Sequence, residues 1–136
     1  MAAMPTTQAD RIATVHRFIA AVEERDALAA SQCLTDELMW RIPGNSRVSG
    51  EYRGPAGFIQ LSQNLRSLSN GTFQSRNEDV LIGERGTIAV LQRNTAERDD
   101  RTLNVRGCYL LEFEGERISS GQACYEDEAE ASRFWS

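Results

Sequence analysis

Four acidic side chains near the end of the chain form the first group whose types and spacing could do chemistry. Glu126, Asp127, Glu128 and Glu130 come at the end of the last segment with a strand pattern. Such a run can bind a metal ion or supply a general acid and base, and it can also be a solvated terminal surface. The solvated surface explains Glu128 and Glu130 best. Glu126 and Asp127 end the strand, where a pocket mouth would lie, so we take them as catalytic candidates.

Two amide side chains, Gln92 and Asn94, are the next candidates. They lie in segment 87–96, whose alternation predicts a strand without settling which face is buried. If the even-numbered residues face inward, both amides enter an apolar interior, where each needs a hydrogen-bond partner. A ligand can supply that partner, and so can another buried polar group or water. The even-numbered set is Ile88, Val90, Gln92 and Asn94, against Ala89, Leu91, Arg93 and Thr95.

The other reactive residue types predict neither a metal site nor a cofactor. His16 is the only histidine, and no metal-binding spacing or Ser-His-Asp set can be assembled around it. We expect a structural or surface position for it. Cys33, Cys108 and Cys124 are an odd number of cysteines without C-x-x-C spacing. That usage is typical of reduced thiols and predicts a cytoplasmic protein.

Length, charge and hydropathy exclude several classes of protein. The 136 residues fit one domain, 1–136, and carry a net charge of −5. All fifteen cationic residues are arginine, and they are scattered along the chain, so we predict no nucleic-acid partner. The longest apolar run, 18–22, is far too short to span a membrane, and the first ten residues do not form a signal peptide.

Periodicity predicts helices first and long strands afterwards, which is an α+β plan. A helix begins near Thr6, Thr7 and Asp10, a shorter one follows Asp26, and a third begins at Gly54-Pro55. We expect residues 1–7 to be flexible and 127–136 to be a short tail whose Phe134-Trp135 docks on the body. The predicted strands are 37–42, 47–52, 72–82, 87–96, 102–113 and 117–126.

Several short motifs, in this order of elements, resemble the SnoaL-like branch of the nuclear transport factor 2-like, or ketosteroid isomerase-like, superfamily. They are Trp40-Arg41-Ile42-Pro43-Gly44, Ser49-Gly50-Glu51-Tyr52-Arg53-Gly54, Phe113-Glu114-Gly115-Glu116-Arg117-Ile118 and the terminal Phe134-Trp135. The resemblance implies a cone-shaped, curved, mostly antiparallel sheet around a pocket, with three helices on its concave side, a cystatin-like α+β barrel.

The resemblance also assigns expected roles to individual residues. Ketosteroid isomerases have a tyrosine, a general-base aspartate and an oxyanion-binding aspartate where this chain has Phe18, Ile42 and Tyr109. Only Tyr109 keeps a possible role, as a phenolic hydrogen-bond donor. Polyketide cyclases of the SnoaL-like branch place an acid/base carboxylate near the position of Glu126 or Asp127. The implied catalytic set is therefore Tyr109, Glu126 and Asp127.

The same comparison implies a ligand site and a mode of assembly. A small hydrophobic organic ligand would bind without a cofactor, and two functions stay open. One is proton transfer on a polycyclic or carbonyl substrate, and the other is a non-catalytic binding or accessory dimerisation domain. Homodimers would pair through the outer sheet face, with residues Ala89, Leu91, Arg93, Arg106, Cys108, Leu110 and Cys124. The expected substrate-binding residues are Phe18, Val22, Trp40, Ile42, Gln92, Asn94 and Tyr125.

Overall fold

The computed structural model of the protein describes residues 6–136. Six strands form one curled sheet, and four helices pack on it, which confirms the predicted α+β class. Most of the segment expected to be flexible, 1–7, lies outside the described residues. In chain order the elements are α1 (Gln8–Glu23), α2 (Ala27–Ser31), β1 (Leu34–Ile42), β2 (Gly50–Arg53), α3 (Gly54–Leu68), β3 (Gln74–Ile82), β4 (Ile88–Arg98), β5 (Arg101–Glu114), β6 (Arg117–Tyr125) and α4 (Glu128–Trp135).

The two N-terminal helices begin at the residues that the sequence marks. The Thr7 hydroxyl accepts a hydrogen bond from the Asp10 backbone N–H, and the Asp10 carboxylate accepts one from the Thr7 N–H, at 3.1 and 2.9 Å. This reciprocal pair satisfies two N–H groups that the helix itself leaves unbonded. The Asp26 carboxylate accepts from the Ala29 N–H and caps α2 in the same way.

The sheet has the strand order β2-β1-β6-β5-β4-β3. All neighbouring strands are antiparallel except β1 and β6, which run parallel and bring Trp40 opposite Gly121. Strand β1 begins at Leu34, three residues before the predicted start. The reason is tertiary, because Leu34 pairs with Ile118 before a register shift, and the Ile118 N–H donates to the Cys33 carbonyl.

The burial pattern shows which side of each long strand points to the core. In β4 the even-numbered residues from Ile88 to Asn94 are buried, and the residues between them are half-buried. In β5 the odd-numbered residues Leu103, Val105 and Leu111 are buried. The inner face of the sheet therefore carries the two amides, Gln92 and Asn94, under helices α1 and α3.

The C-terminal segment differs from the expected tail. Residues 128–135 form helix α4, and Asp127 caps it by accepting a hydrogen bond from the Glu130 N–H at 3.0 Å. Arg98 and Arg101 donate to carbonyl oxygens in its last turn, which the helix leaves without partners. The predicted docking of its last two aromatic residues is confirmed, because Phe134 and Trp135 are each 3% exposed. The protein thus has a fourth helix beyond the three expected.

Among the described residues, none of the helices combines the length and the apolar character that crossing a bilayer requires.

Candidate functional site

A cavity of about 320 Å³ lies between the inner face of the sheet and the helices. We call it the main cavity. Its apolar lining comes from the end of α1, from α3, from β1 and from α4, and its polar lining comes from β3 to β6. The side chains that form these walls include Val22, Trp40, Ile42, Val48, Phe58, Leu61, Leu65, Phe73, Ser75, Asn94, Tyr109, Tyr125 and Trp135.

Trp40 is the centre of the aromatic wall. Its ring lies 5.2 Å from that of Phe58 and 4.9 Å from that of Tyr109, both edge to face. Phe18 packs behind it at 5.7 Å. Such tilted contacts fix the orientation of each ring, because the edge of one ring meets the electron-rich face of another. The wall is therefore a rigid surface suited to a flat molecule.

Asn94 supplies an unsatisfied polar group to this wall. Its side chain is 3% exposed, and its Oδ1 atom has no hydrogen-bond partner among the described residues. A buried amide oxygen without a partner costs about 1–3 kcal/mol. Asn94 also belongs to the lining of the main cavity, which makes it a candidate to accept a hydrogen bond from a molecule bound there.

A second buried amide, Gln92, lies beside a side cavity of about 10 Å³. Its Oε1 atom accepts a hydrogen bond from the Ser75 hydroxyl at 2.7 Å, while its Nε2 atom has no partner among the described residues. A volume of this size holds about one water molecule. Tyr109, Ser75 and Val22 line both cavities, so the polar cluster of Gln92, Ser75 and Tyr109 separates them.

The tyrosine hydroxyls of the main cavity stay protonated. Burial raises the pKa of Tyr109 above its usual value, and the nearby Gln92 and Ser75 side chains offset only part of that rise. Burial also raises the pKa of Tyr125, with repulsion from an ionised Tyr109 acting in the same direction. A protonated phenol donates a hydrogen bond, so both residues can act as neutral donors at physiological pH.

The pattern of residues 15–121 matches the family model described as a SnoaL-like domain, which covers most of the chain. The chain belongs to the SnoaL-like domain family. An uncharacterized protein of Mycobacterium tuberculosis is 28% identical to it over 121 residues, which are 89% of this chain and 92% of that protein.

Solved structures place this SnoaL-like domain in the fold that the sequence predicted. Bal32a, from a soil-derived mobile gene cassette, is similar with a TM-score of 0.89 and 27% identity over 95% of this chain and 98% of its own. A protein of unknown function with a cystatin-like fold from Xanthomonas campestris has a TM-score of 0.83 and 25% identity over 92% and 97% of the two chains. The predicted resemblance to the SnoaL-like family and the predicted fold class are thereby confirmed.

The SnoaL-like domain brings most of the predicted ligand-binding residues to the two cavities. Phe18 and Gln92 line only the side cavity, and Phe18 otherwise belongs to the buried core. The residues expected in the site that line the main cavity are Val22, Trp40, Ile42, Asn94, Tyr109 and Tyr125.

The two predicted catalytic carboxylates are placed elsewhere. Glu126 and Asp127 are exposed and line neither cavity. Strand β6 does end beside the main cavity, at Tyr125, but the chain then turns away into α4, and the Asp127 carboxylate caps that helix. Neither residue is in position to take a proton from a molecule in the main cavity.

Five charged residues that sequence reasoning missed lie on the exposed side of the main cavity, and we call them the charged rim. They are Glu23, Arg25, Asp26, Arg66 and Arg76. They come from α1, the loop after it, α3 and β3, so no local pattern in the sequence connects them. The only local signal is Arg25, which directly follows the first predicted helix, since Arg66 and Arg76 lie within predicted elements.

Metal binding has no support in the part of the chain that the structure describes. No group of three or more His, Cys, Asp or Glu side chains there could hold an ion. His16 is exposed on α1 and does not line either cavity, in keeping with the surface position expected for it.

Proposed function

We propose that this SnoaL-like domain binds a flat, moderately polar organic molecule in the main cavity. The observation that carries the proposal is Asn94, a buried residue of the cavity lining whose side-chain oxygen has no hydrogen-bond partner among the described residues. A protein that had no ligand would gain stability by replacing this amide with an apolar side chain. A ligand that donates a hydrogen bond to the Asn94 oxygen explains why the amide is present.

The size and lining of the cavity support the same proposal. Its volume of about 320 Å³ falls at the lower end of the range of about 300–1,000 Å³ that is usual for small-molecule sites. The rigid wall around Trp40 and Phe58 offers apolar area to a ring system. Asn94 accepts a hydrogen bond, whereas Tyr109 and Tyr125 donate, so the matching ligand carries both a hydroxyl or N–H group and a carbonyl or similar acceptor.

Proton-transfer catalysis is a second candidate function. It is favoured by the Tyr109 hydroxyl, whose raised pKa keeps it a neutral donor toward an oxygen that gains negative charge. A base from this chain would have to come from the charged rim, where Glu23 borders both cavities. The Glu23 carboxylate accepts a hydrogen bond from the Asn77 backbone N–H at 3.3 Å.

The deciding experiment compares two ring compounds that differ by one hydrogen-bond donor. We expect 2-naphthol to bind, monitored by calorimetry and by the fluorescence of Trp40 and Trp135, and 2-methoxynaphthalene to bind about fivefold more weakly, since one hydrogen bond is worth about 1 kcal/mol. In the Asn94→Leu variant that difference should vanish. Asn45→Leu, in an exposed turn, is the matched control and should retain it.

Two results would contradict the proposal. One is the absence of binding of both compounds up to their solubility limits, which would favour the accessory dimerisation domain. The other is a preference for 2-naphthol that survives in Asn94→Leu, since the donor would then be recognised by another group. Catalysis is tested separately, by turnover of a substrate once binding has identified the ring system.

A further inference from the structure

The three arginines of the charged rim border the main cavity and form no ion pair among the described residues. The ion pairs of the described residues join Arg41 and Arg53 to Glu51, and Arg93 and Arg106 to Glu78. None of them involves Arg25, Arg66 or Arg76. Three guanidinium groups therefore border the main cavity without a carboxylate within 4.0 Å in residues 6–136.

The two carboxylates of the charged rim are already engaged with the backbone. Asp26 accepts from the Ala29 N–H at 3.0 Å, and Glu23 accepts from the Asn77 N–H at 3.3 Å. Asp26 is thereby held at the start of α2, and Glu23 is held against β3. The charged rim thus has a formal charge of +1, and its positive groups are those left to interact with a ligand.

Arg25 and Arg66 are fixed in position by hydrogen bonds to carbonyl oxygens. The Arg66 guanidinium donates to the Arg25 carbonyl, and the Arg25 guanidinium donates to the Phe73 carbonyl, each at 3.1 Å. Each arginine keeps further N–H groups free, because a guanidinium has five. Arg25 also has a φ of +60°, at a helix end where glycine is the usual residue.

We infer that the charged rim binds a carboxylate group, so that the ligand of this domain is an aromatic or polycyclic acid carrying a single negative charge. The inference rests on the proposed function and adds the ligand's charge to it. The ring system lies against Trp40 and reaches Asn94, and its carboxylate remains at the open side beside Arg25, Arg66 and Arg76. Guanidinium groups bind a carboxylate through two parallel N–H···O bonds.

The net charge of the charged rim favours a ligand with one negative charge over a ligand with two. A monoanion neutralises the formal charge of +1, whereas the second charge of a phosphate monoester would meet Glu23 and Asp26 with no further cation to balance it. Because the five side chains are exposed, water and salt screen them. The selectivity for a carboxylate is therefore moderate and depends on salt.

The test compares ligands with the same ring and different charge: 2-naphthoic acid, 2-naphthamide and 2-naphthyl phosphate, at pH 7. We expect the carboxylate to bind about tenfold more tightly than the amide at low salt, which corresponds to about 1.4 kcal/mol. The difference should shrink in 0.5 M NaCl, and the phosphate should bind more weakly than the carboxylate. Equal binding of acid and amide would overturn the inference.

Arg76→Gln is the decisive variant, because the Arg76 side chain takes part in none of the ion pairs or side-chain hydrogen bonds of the described residues, unlike those of Arg25 and Arg66. It should lower the preference for the acid about three- to fivefold and leave amide binding unchanged. Arg66→Gln should do the same. Arg85→Gln, on an exposed turn away from the cavity, removes the same charge and should have no effect. A loss in Arg85→Gln equal to that in Arg76→Gln would show a net-charge effect and overturn the inference.

These outcomes separate the inference from the function on which it rests. If 2-naphthol and 2-naphthamide bind but 2-naphthoic acid is no better, the cavity is a ligand site and the charged rim does not select an acid. If none of the compounds binds, both the proposed function and the inference are wrong.

Discussion

The indole ring of Trp40 packs directly against Gly121, its partner on the neighbouring parallel strand β6. A Cβ atom at position 121 would overlap the ring carbons Cε3 and Cζ3. Only glycine leaves room for this contact. It holds Trp40, which is 1% exposed, in the orientation that brings its ring to both Phe58 and Tyr109. The shape of the main cavity therefore depends on a residue that does not line it.

Gly121→Ala should strongly destabilise the protein, although it adds only one methyl group. The added methyl group forces Trp40 out of its position, and overpacking of a filled core costs about 1–3 kcal/mol. Denaturant unfolding followed by tryptophan fluorescence measures this loss in the free energy of unfolding. Ser120→Ala, on the same strand, is the control and should change it little. A Gly121→Ala protein as stable as the wild type would contradict the contact described here.

Alkaline pH should destabilise the protein through its tyrosines. Burial raises the pKa of Tyr52, Tyr109 and Tyr125, so in the folded state each holds its proton above the usual pKa of about 10. Between the unfolded and folded pKa values the native state binds more protons, and stability falls as pH rises. The stabilising effect is complete below about pH 10 and is lost progressively above it.

The measurement is an ultraviolet titration of phenolate together with urea unfolding at several pH values. Phenolate absorbance should increase only above about pH 10 in the folded protein. In Tyr125→Phe the loss of stability with rising pH should be shallower, because one of the shifted groups is gone. Phenolate formation at ordinary tyrosine pH in folded protein would show that the hydroxyls are not buried.

The outer face of the sheet should mediate a homodimer. Leu110 is 40% exposed there, beside the half-buried Leu91 and Cys108 and the exposed Cys124. Apolar groups side by side on a sheet face usually mark an interface. Leu110→Glu should give monomers in light scattering at micromolar concentration, whereas Leu28→Glu, on exposed α2, should remain dimeric. A monomeric wild type would contradict this prediction.

The cavity should not support steroid double-bond isomerisation. That reaction needs a carboxylate base, and the resemblance places Ile42 at that position, where its side chain lines the main cavity. We expect at most trace conversion of a 3-oxo-Δ5 steroid, measured by the absorbance of the conjugated product against a protein-free control. Conversion well above that control, and reduced in Tyr109→Phe, would contradict this prediction and point to a base outside position 42, such as Glu23.

Local signals in the sequence were sufficient where neighbouring residues decide the structure. The helix starts at Thr7 and Asp26 depend on side chains that bond N–H groups three residues away, so they can be seen in the sequence. Alternation left open which strand face is buried, and it was the resemblance to the SnoaL-like family that placed Trp40 and Tyr109 toward the cavity, where both lie. Asp127 was expected at the mouth of the pocket. It lies instead at the start of α4, where its carboxylate caps the helix.

By itself the sequence determined the fold class, the order of the elements and the two amides on one strand face, because periodicity and capping act over a few residues. Tertiary structure alone decided which buried amide keeps an unsatisfied oxygen, since the partners of Asn94 would have to come from other strands. It also decided that Arg25, Arg66 and Arg76, far apart in the chain, border one cavity. Contacts between distant segments follow from how a curled sheet closes against its helices, and no local pattern encodes that closure.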